Sequence, residues 1–100
     1  MAKTLHRQEN EIFREHLRRA REDAGLTQAD LGQAVGRTQV FISHVERGVR
    51  RLDAVELLEL CRAMGVDMAS FIAAFQQEAD ALPKKRAPQA RRTGTPRSGK

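Results

Sequence analysis

The chain has 100 residues, with four phenylalanines, no tryptophan or tyrosine, one cysteine and a formal net charge of +5. The length allows one small folded unit with appendages and excludes two domains. A domain of this size buries only about 60% of the surface of its unfolded chain, so its core is marginal. The single cysteine, Cys61, excludes an internal disulfide, which is typical of a reducing compartment.

The positive charge is unevenly distributed. Residues 83–100 hold seven of the 18 basic residues and none of the 13 acidic ones, so residues 1–82 carry a net charge of −2. Because residues 83–100 also lack large apolar side chains, we predict that they form a disordered basic tail. Within the remainder, residues 31–52 contain one acidic residue, Glu46, and four arginines: Arg37, Arg47, Arg50 and Arg51. Because residues 83–100 account for the positive net charge, that net charge does not by itself make the folded part a nucleic-acid binder.

The first predicted helix follows a polar start. Residues 1–8 show no apolar periodicity and are predicted to be flexible. The helix then covers about residues 9–24, because apolar side chains recur there at steps of four, three and four: Phe13, Leu17, Ala20 and Ala24. Gly25 follows the last of these positions and can adopt the left-handed conformation that ends a helix.

Two short helices come next, separated by a glycine. Thr27 is expected to cap the second helix, residues 27–35, with Asp30 in its first turn at the positive end of the helix dipole. Gly36 permits a turn before the third helix, residues 38–47. The apolar positions expected to form the shared core of this pair are Leu31, Val35, Ile42 and Val45.

The last two predicted helices each begin at an aspartate. Asp53 and Glu56 have the spacing of a capping box at the start of the fourth helix, residues 53–64. Asp67 caps the fifth helix, residues 67–82, which Pro83 ends. No segment shows the alternation of a strand, so the sequence predicts an all-α fold of five helices.

The second and third helices, joined around a glycine, have the arrangement of a helix-turn-helix. The runs GLTQADL and TQVFISHVERG, followed by AMGV, resemble the small all-helical repressors of the lambda-repressor and Cro type, the XRE family. The resemblance covers residues 13–75 and implies a five-helix lambda-repressor-like DNA-binding domain over residues 9–82. There are two departures from the family pattern. Gly32 stands where alanine is more usual, and the basic tail lies outside the common core.

The resemblance implies roles for particular side chains, with the third helix, here called the reading helix, in the major groove of DNA. Contacts to base edges are expected from Thr38, Gln39, Val40, Ser43 and His44. Contacts to phosphates are expected from Gln28, which would also brace the reading helix, and from Arg37, Arg47, Arg50 and Arg51. A largely buried structural salt bridge is expected between Arg21 and Glu46. The chemistry agrees, since glutamine can bind adenine through two hydrogen bonds and valine can contact the methyl group of thymine.

The fifth helix carries an apolar stripe that extends beyond what four short helices were expected to cover. At 1.5 Å per residue this helix would be roughly 24 Å long, enough to run past the domain and pair with a second copy. We therefore expect a homodimer whose interface includes Phe71, Phe75, Ala79 and Leu82.

Nothing in the sequence indicates an enzyme, a metal site or a cofactor. Ser43 and His44 are neighbours on a helix and do not face each other, so they do not form a catalytic pair. The three histidines and Cys61 lack the close spacing of zinc ligands. No stretch approaches the roughly 20 apolar residues of a membrane span, and the N-terminus has no signal-peptide pattern. We expect a non-enzymatic cytoplasmic protein associated with the nucleoid and not with a membrane.

The expected function is sequence-specific binding of double-stranded DNA by a transcriptional regulator, most simply a repressor that occludes RNA polymerase, although an activator that touches polymerase fits equally. One alternative keeps the fold: an antitoxin, which would bind a toxin, or a restriction-modification controller. Another is a protein-interaction module that no longer reads DNA, which the scarcity of acids on the reading helix disfavours. A third is an architectural DNA binder led by the basic tail.

Overall fold

The computed structural model describes the backbone of residues 2–83 and the side chains of residues 7–83. Over this range the chain forms five helices and no strand, so the fold is all-α as predicted. The helices are α1 (Ala2–Asp23), α2 (Gln28–Ala34), α3 (Gln39–Glu46), α4 (Ala54–Met64) and α5 (Met68–Asp80). The basic tail predicted after Pro83 lies outside the described residues. None of the described helices is both long and apolar enough to cross a membrane.

The start of α1 differs from the prediction, because the helix begins at Ala2 and not near residue 9. The prediction relied on apolar periodicity, which starts only at Phe13. Residues 2–8 contain neither glycine nor proline, and residues such as Ala2, Lys3 and Leu5 favour helix, so nothing in the sequence ends the helix earlier. The segment predicted to be flexible therefore overlaps the first turns of α1.

The other helices begin close to the predicted positions because each has its own capping side chain. Thr27 and Asp30 form a capping box at the start of α2, and Asp53 and Glu56 form another at the start of α4. Both boxes satisfy backbone N–H groups that have no partner inside a helix. At the start of α5, the carboxylate of Asp67 accepts a hydrogen bond from a backbone N–H in the first turn.

The core draws on all five helices. Its buried side chains are Leu17, Leu31, Ile42, Val45, Leu57, Leu60, Cys61, Met64 and Phe71. Cys61 is fully buried, and burial, followed by the charge of Asp67, raises the pKa of its thiol. Because the thiolate is the reactive form, Cys61 is a packing residue with little reactivity.

The packing of α5 bears on the expected dimer interface. Phe71 and Ala79 are only 5% and 6% exposed within a single chain, so they offer little surface to a second copy. The ring of Phe13 in α1 contacts Phe71 and Phe75 edge to face, with centroids 5.8 and 5.6 Å apart. Phe13, which lies within the predicted bounds of α1, thus covers part of the α5 stripe in the single chain. Phe75 and Leu82 are half-buried.

Candidate nucleic-acid interface

The turn between α2 and α3 brings the two helices into backbone contact. A Cβ atom built on Gly32 would lie 2.6 Å from the carbonyl oxygen of Thr38, closer than real Cβ contacts come. The carbonyl of Gly32 accepts a 2.7 Å hydrogen bond from the N–H of Arg37, and Gly36 between them has a φ of +73°. The glycine at position 32 is thus required by the close approach, which explains its departure from the alanine of the family pattern.

The reading helix, α3, presents one face to solvent. Successive residues are about 100° apart on a helix, so four of the predicted base-reading residues share this face: Gln39, Val40, Ser43 and His44. Val40 is 55% exposed, whereas Ile42 and Val45 on the opposite side are buried in the core. The fifth predicted residue, Thr38, is exposed and caps the helix, because its Oγ1 accepts a hydrogen bond from the N–H of Phe41.

Behind this face, a line of polar side chains runs from α1 to the first residue of the reading helix. Nε of Arg21 donates to Oε2 of Glu46 at 2.7 Å, and Nη2 of Arg21 donates to Oε1 at 3.1 Å. Oε1 of Glu46 also accepts from Nε2 of Gln28 at 3.0 Å. Oε1 of Gln28 in turn accepts from Nε2 of Gln39 at 2.8 Å. We call these four residues the Glu46 network.

The Glu46 network is largely enclosed by protein. The side chains of Arg21 and Glu46 are 10% and 5% exposed, and Arg21 also donates from Nη1 to the carbonyl oxygen of Leu26 at 2.9 Å. Every link is a hydrogen bond of ordinary length. The side chain of Gln39 at the protein surface is therefore connected to a buried ion pair between α1 and α3.

A second cluster lies on the other side of the reading helix, around Phe41. The guanidinium carbons of Arg37 and Arg50 lie 4.3 and 4.8 Å from the centroid of the Phe41 ring. Glu56 accepts hydrogen bonds from Arg50 at 3.0 and 2.9 Å and from Arg37 at 3.1 Å. It also accepts one from the N–H of Asp53 in the α4 capping box. We call these side chains the Glu56 cluster.

The electrostatics of the Glu56 cluster follow from these bonds. The hydrogen bonds from Arg50, then the backbone bond from Asp53, lower the pKa of Glu56 to about 2. The carboxylate also neutralises part of the charge of two arginines that were predicted to contact phosphates. The sequence predicts Glu56 only as part of a helix cap, because its pairing with Arg37 and Arg50 depends on how the loops before and after α3 pack against α4.

The two other predicted phosphate-contacting arginines follow the reading helix directly. Arg47 is its C-terminal cap, and both Arg47 and Arg51 are exposed. Along the chain, one of the four arginines precedes α3 and three follow it. Gln28 differs from them, since both ends of its amide are used inside the protein.

Sequence reasoning missed a contact at the C-terminal end of the reading helix. Nη1 of Arg14 in α1 donates to the main-chain oxygen of Glu46 at 3.3 Å. The guanidinium packs against Gly48, where an added Cβ would lie 2.9 Å from Cζ of Arg14. A cation at this end also suits the helix dipole. No local pattern marks Arg14, because the contact joins positions 32 residues apart.

Comparisons with known proteins agree with this geometry. A family model described as a helix-turn-helix domain matches residues 12–71, more than half of the chain. Among solved structures, the chain is similar to an XRE-family like protein from Pseudomonas syringae pv. tomato str. DC3000, with 34% sequence identity and a TM-score of 0.72. That match covers 77% of this chain and 94% of the other. The comparison with curated proteins gave no match.

Proposed function

The chain belongs to the XRE family of helix-turn-helix DNA-binding proteins, and we propose that it is a sequence-specific transcriptional repressor that binds a two-fold symmetric operator as a homodimer. The observation that carries this proposal is the outward face of α3, where Gln39 and Val40 are exposed and the Glu46 network holds Gln39 from behind. A face of this kind matches the base edges displayed in the major groove.

Each side chain on the face has a partner chemistry in DNA. Gln39 can bind adenine through N6 and N7, and the exposed Val40 can contact the methyl group of thymine. Ser43 and His44, one helical turn further along, can donate to or accept from base edges. Each good contact of the two-bond type contributes about 1–3 kcal/mol of discrimination against a wrong base.

The arginines around the face would hold the DNA backbone without reading its sequence. Arg47 and Arg51 are exposed and suited to phosphates, and Arg37 and Arg50 are held in place by the Glu56 cluster. Gln28 acts chiefly as the brace of Gln39, with its second amide N–H left for a phosphate.

A homodimer would place two reading helices in successive major grooves, about 34 Å apart. With Phe71 and Ala79 buried in the protomer, the predicted interface residues left for contact with a second copy are Phe75 in α5 and Leu82 just after it, both half-buried. Occupancy of a promoter by such a dimer would exclude RNA polymerase, which is the simplest route to repression.

The experiment that tests the proposal is selection of random duplex DNA by the purified full chain at about physiological salt. Enrichment of one two-fold symmetric motif supports the proposed dimeric regulator and gives the half-site. Salt-sensitive binding without any motif would contradict it and favour binding led by charge alone.

Two variants then separate reading from holding within the selected site. Gln39→Ala should change the base preference at one position of each half-site, because it removes a contact to a base edge. Arg51→Ala should weaken binding to all duplexes alike and reduce the salt dependence by about one charge. Competition binding against single-base variants of the site measures both effects, and unchanged affinity and preference in Gln39→Ala would contradict the docking of α3.

A further inference from the structure

We propose that Glu46, which does not face the DNA, determines that Gln39 reads adenine and rejects guanine. The inference rests on the proposed function and adds a positioning residue to it. It follows from the direction of the hydrogen bonds in the Glu46 network, in which every donor and acceptor is fixed by the chemistry of its neighbour.

Glu46 can only accept hydrogen bonds. Its two oxygens receive two bonds from the guanidinium of Arg21, and an ionised carboxylate has no proton to donate. The group on Gln28 that lies 3.0 Å from Oε1 of Glu46 must therefore be the amide nitrogen and not the amide oxygen. The orientation of the Gln28 side chain is thus set by the carboxylate.

The orientation of Gln28 determines which amide group of Gln39 bonds to it. With its nitrogen directed to Glu46, Gln28 presents its oxygen to Gln39, where the two side chains meet at 2.8 Å. An amide oxygen only accepts, so Gln39 must supply its nitrogen to this contact. One of the two N–H groups of Gln39 is then used inside the protein.

Gln39 has only part of its amide left for DNA. Its amide retains one N–H and one oxygen, a donor beside an acceptor. Adenine presents an acceptor at N7 and a donor at N6 in the major groove, which complements this pair, whereas guanine presents acceptors at both N7 and O6. Against guanine, the oxygen of Gln39 would face O6 with no proton between them.

Reversal of the network is opposed by its anchoring. A reversed Gln28 would direct its oxygen at the carboxylate of Glu46, whose side chain is only 5% exposed, so water could not screen the repulsion. Arg21 cannot follow such a change, because it is also bonded to the carbonyl of Leu26. The direction of the bonds therefore persists from α1 to the protein surface.

The test uses Glu46→Gln, which keeps the shape of the side chain and allows it both to donate and to accept. Gln28 can then adopt either orientation, and Gln39 can present two N–H groups to guanine. The probe is a pair of duplexes with A or G at the position where Gln39→Ala loses its preference. We expect the native chain to favour A by about tenfold, and Glu46→Gln to reduce that ratio to near one.

The matched control is Glu56→Gln, the same substitution at another glutamate that accepts bonds from arginines but has no bond to Gln28. It is expected to alter affinity for both duplexes and to leave the A:G ratio unchanged. Gln28→Met provides a second route if Glu46→Gln does not fold, since it removes the brace without disturbing the buried ion pair. It should also lower the A:G ratio.

The outcomes are distinct. A native preference for G at this position, or a folded Glu46→Gln variant that keeps the native A:G ratio, would overturn the inference while leaving the proposed regulator intact. So would an unchanged ratio in Gln28→Met. If the native chain selects no motif, the proposed function itself falls, and this inference falls with it.

Discussion

Two glutamates form ion pairs on opposite sides of the reading helix: Glu46, its last residue, and Glu56 in α4. The two ion pairs serve different purposes. Glu46 is 5% exposed and pairs with Arg21, which is 10% exposed, on the side facing α1. Glu56 is 15% exposed and pairs with Arg37 and Arg50, whose side chains are 40% and 41% exposed, on the side facing α4. The first pair lies within the protein, and the second keeps its cations in water.

Burial changes the role of an ion pair. A buried pair stabilises little relative to apolar packing, but removal of one partner leaves a charge without compensation. A solvent-exposed pair contributes little to stability and is screened by salt. We therefore assign the Glu46 network to holding α1, α2 and α3 in register, and the Glu56 cluster to placing cations beside the base-reading face.

The two sides should differ most in the loss of stability when one arginine is replaced. Replacement of Arg21 by Met should lower the free energy of unfolding by about 3–5 kcal/mol, because it leaves the carboxylate of Glu46 buried without its cation. Arg37→Met, the matched change on the exposed side, should cost about 1 kcal/mol or less. Urea denaturation of the two variants measures the contrast. Equal losses would show that burial does not distinguish the two sides.

Replacement of Gly32 should have a smaller effect on stability. It bears on both the Glu46 network and the Glu56 cluster, because Gly32 determines how closely α2 approaches α3. Alanine favours a helix over glycine by about 1 kcal/mol, but overpacking typically costs about 1–3 kcal/mol. The added Cβ would lie 2.6 Å from the backbone carbonyl oxygen of Thr38, and a backbone atom cannot move aside as a flexible side chain could. We therefore expect Gly32→Ala to be less stable than the native chain by about 1 kcal/mol.

Thermal denaturation tests this expectation, with Gln33→Ala as the control on the exposed side of the same helix. The control should be neutral or slightly stabilised, because it gains helix propensity and meets no obstacle. A Gly32→Ala variant more stable than the native chain would mean that α2 and α3 can move apart at little cost in free energy. The positions of the Glu46 network and the Glu56 cluster would then be less rigid than their hydrogen-bond distances indicate.

The parts of the fold that depend on residues close together in the chain could be predicted from the sequence. Capping pairs such as Asp53 with Glu56 are local, so the starts of α2 to α5 were predicted closely. The start of α1 was not, because periodicity detects the buried face of a helix and residues 2–8 add no clear apolar positions to it.

The candidate site was predictable only as far as the resemblance reached. It placed Gln39 on the reading helix and paired Arg21 with Glu46, which lie together in the structure. It did not bring Arg37 and Arg50 to Glu56, nor Arg14 to the end of α3. These contacts depend on loop geometry and on the packing of α1 and α4, and no spacing in the sequence encodes them.

The smallest predicted effect is a pH dependence that belongs to the exposed side alone. The hydrogen bonds from Arg50 and the other groups around Glu56 lower its pKa from an ordinary value of 4.5 to about 2. A lowered folded-state pKa stabilises the folded chain above the unfolded value, and this contribution is lost as the pH falls through the folded value. Glu56→Gln should therefore be less stable than the native chain near neutral pH. The gap should start to narrow below about pH 4.5 and close near pH 2.

Denaturant midpoints of the two proteins across this range measure the gap, which should stay below the loss in Arg21→Met because the Glu56 cluster is open to water. A gap that stays constant down to pH 2 would mean that the carboxylate of Glu56 acts through the capping geometry of α4 and not through its charge. The cations beside the reading face would then be held mainly by the ring of Phe41, and loss of that ring, in Phe41→Leu, should weaken DNA binding more than Glu56→Gln does.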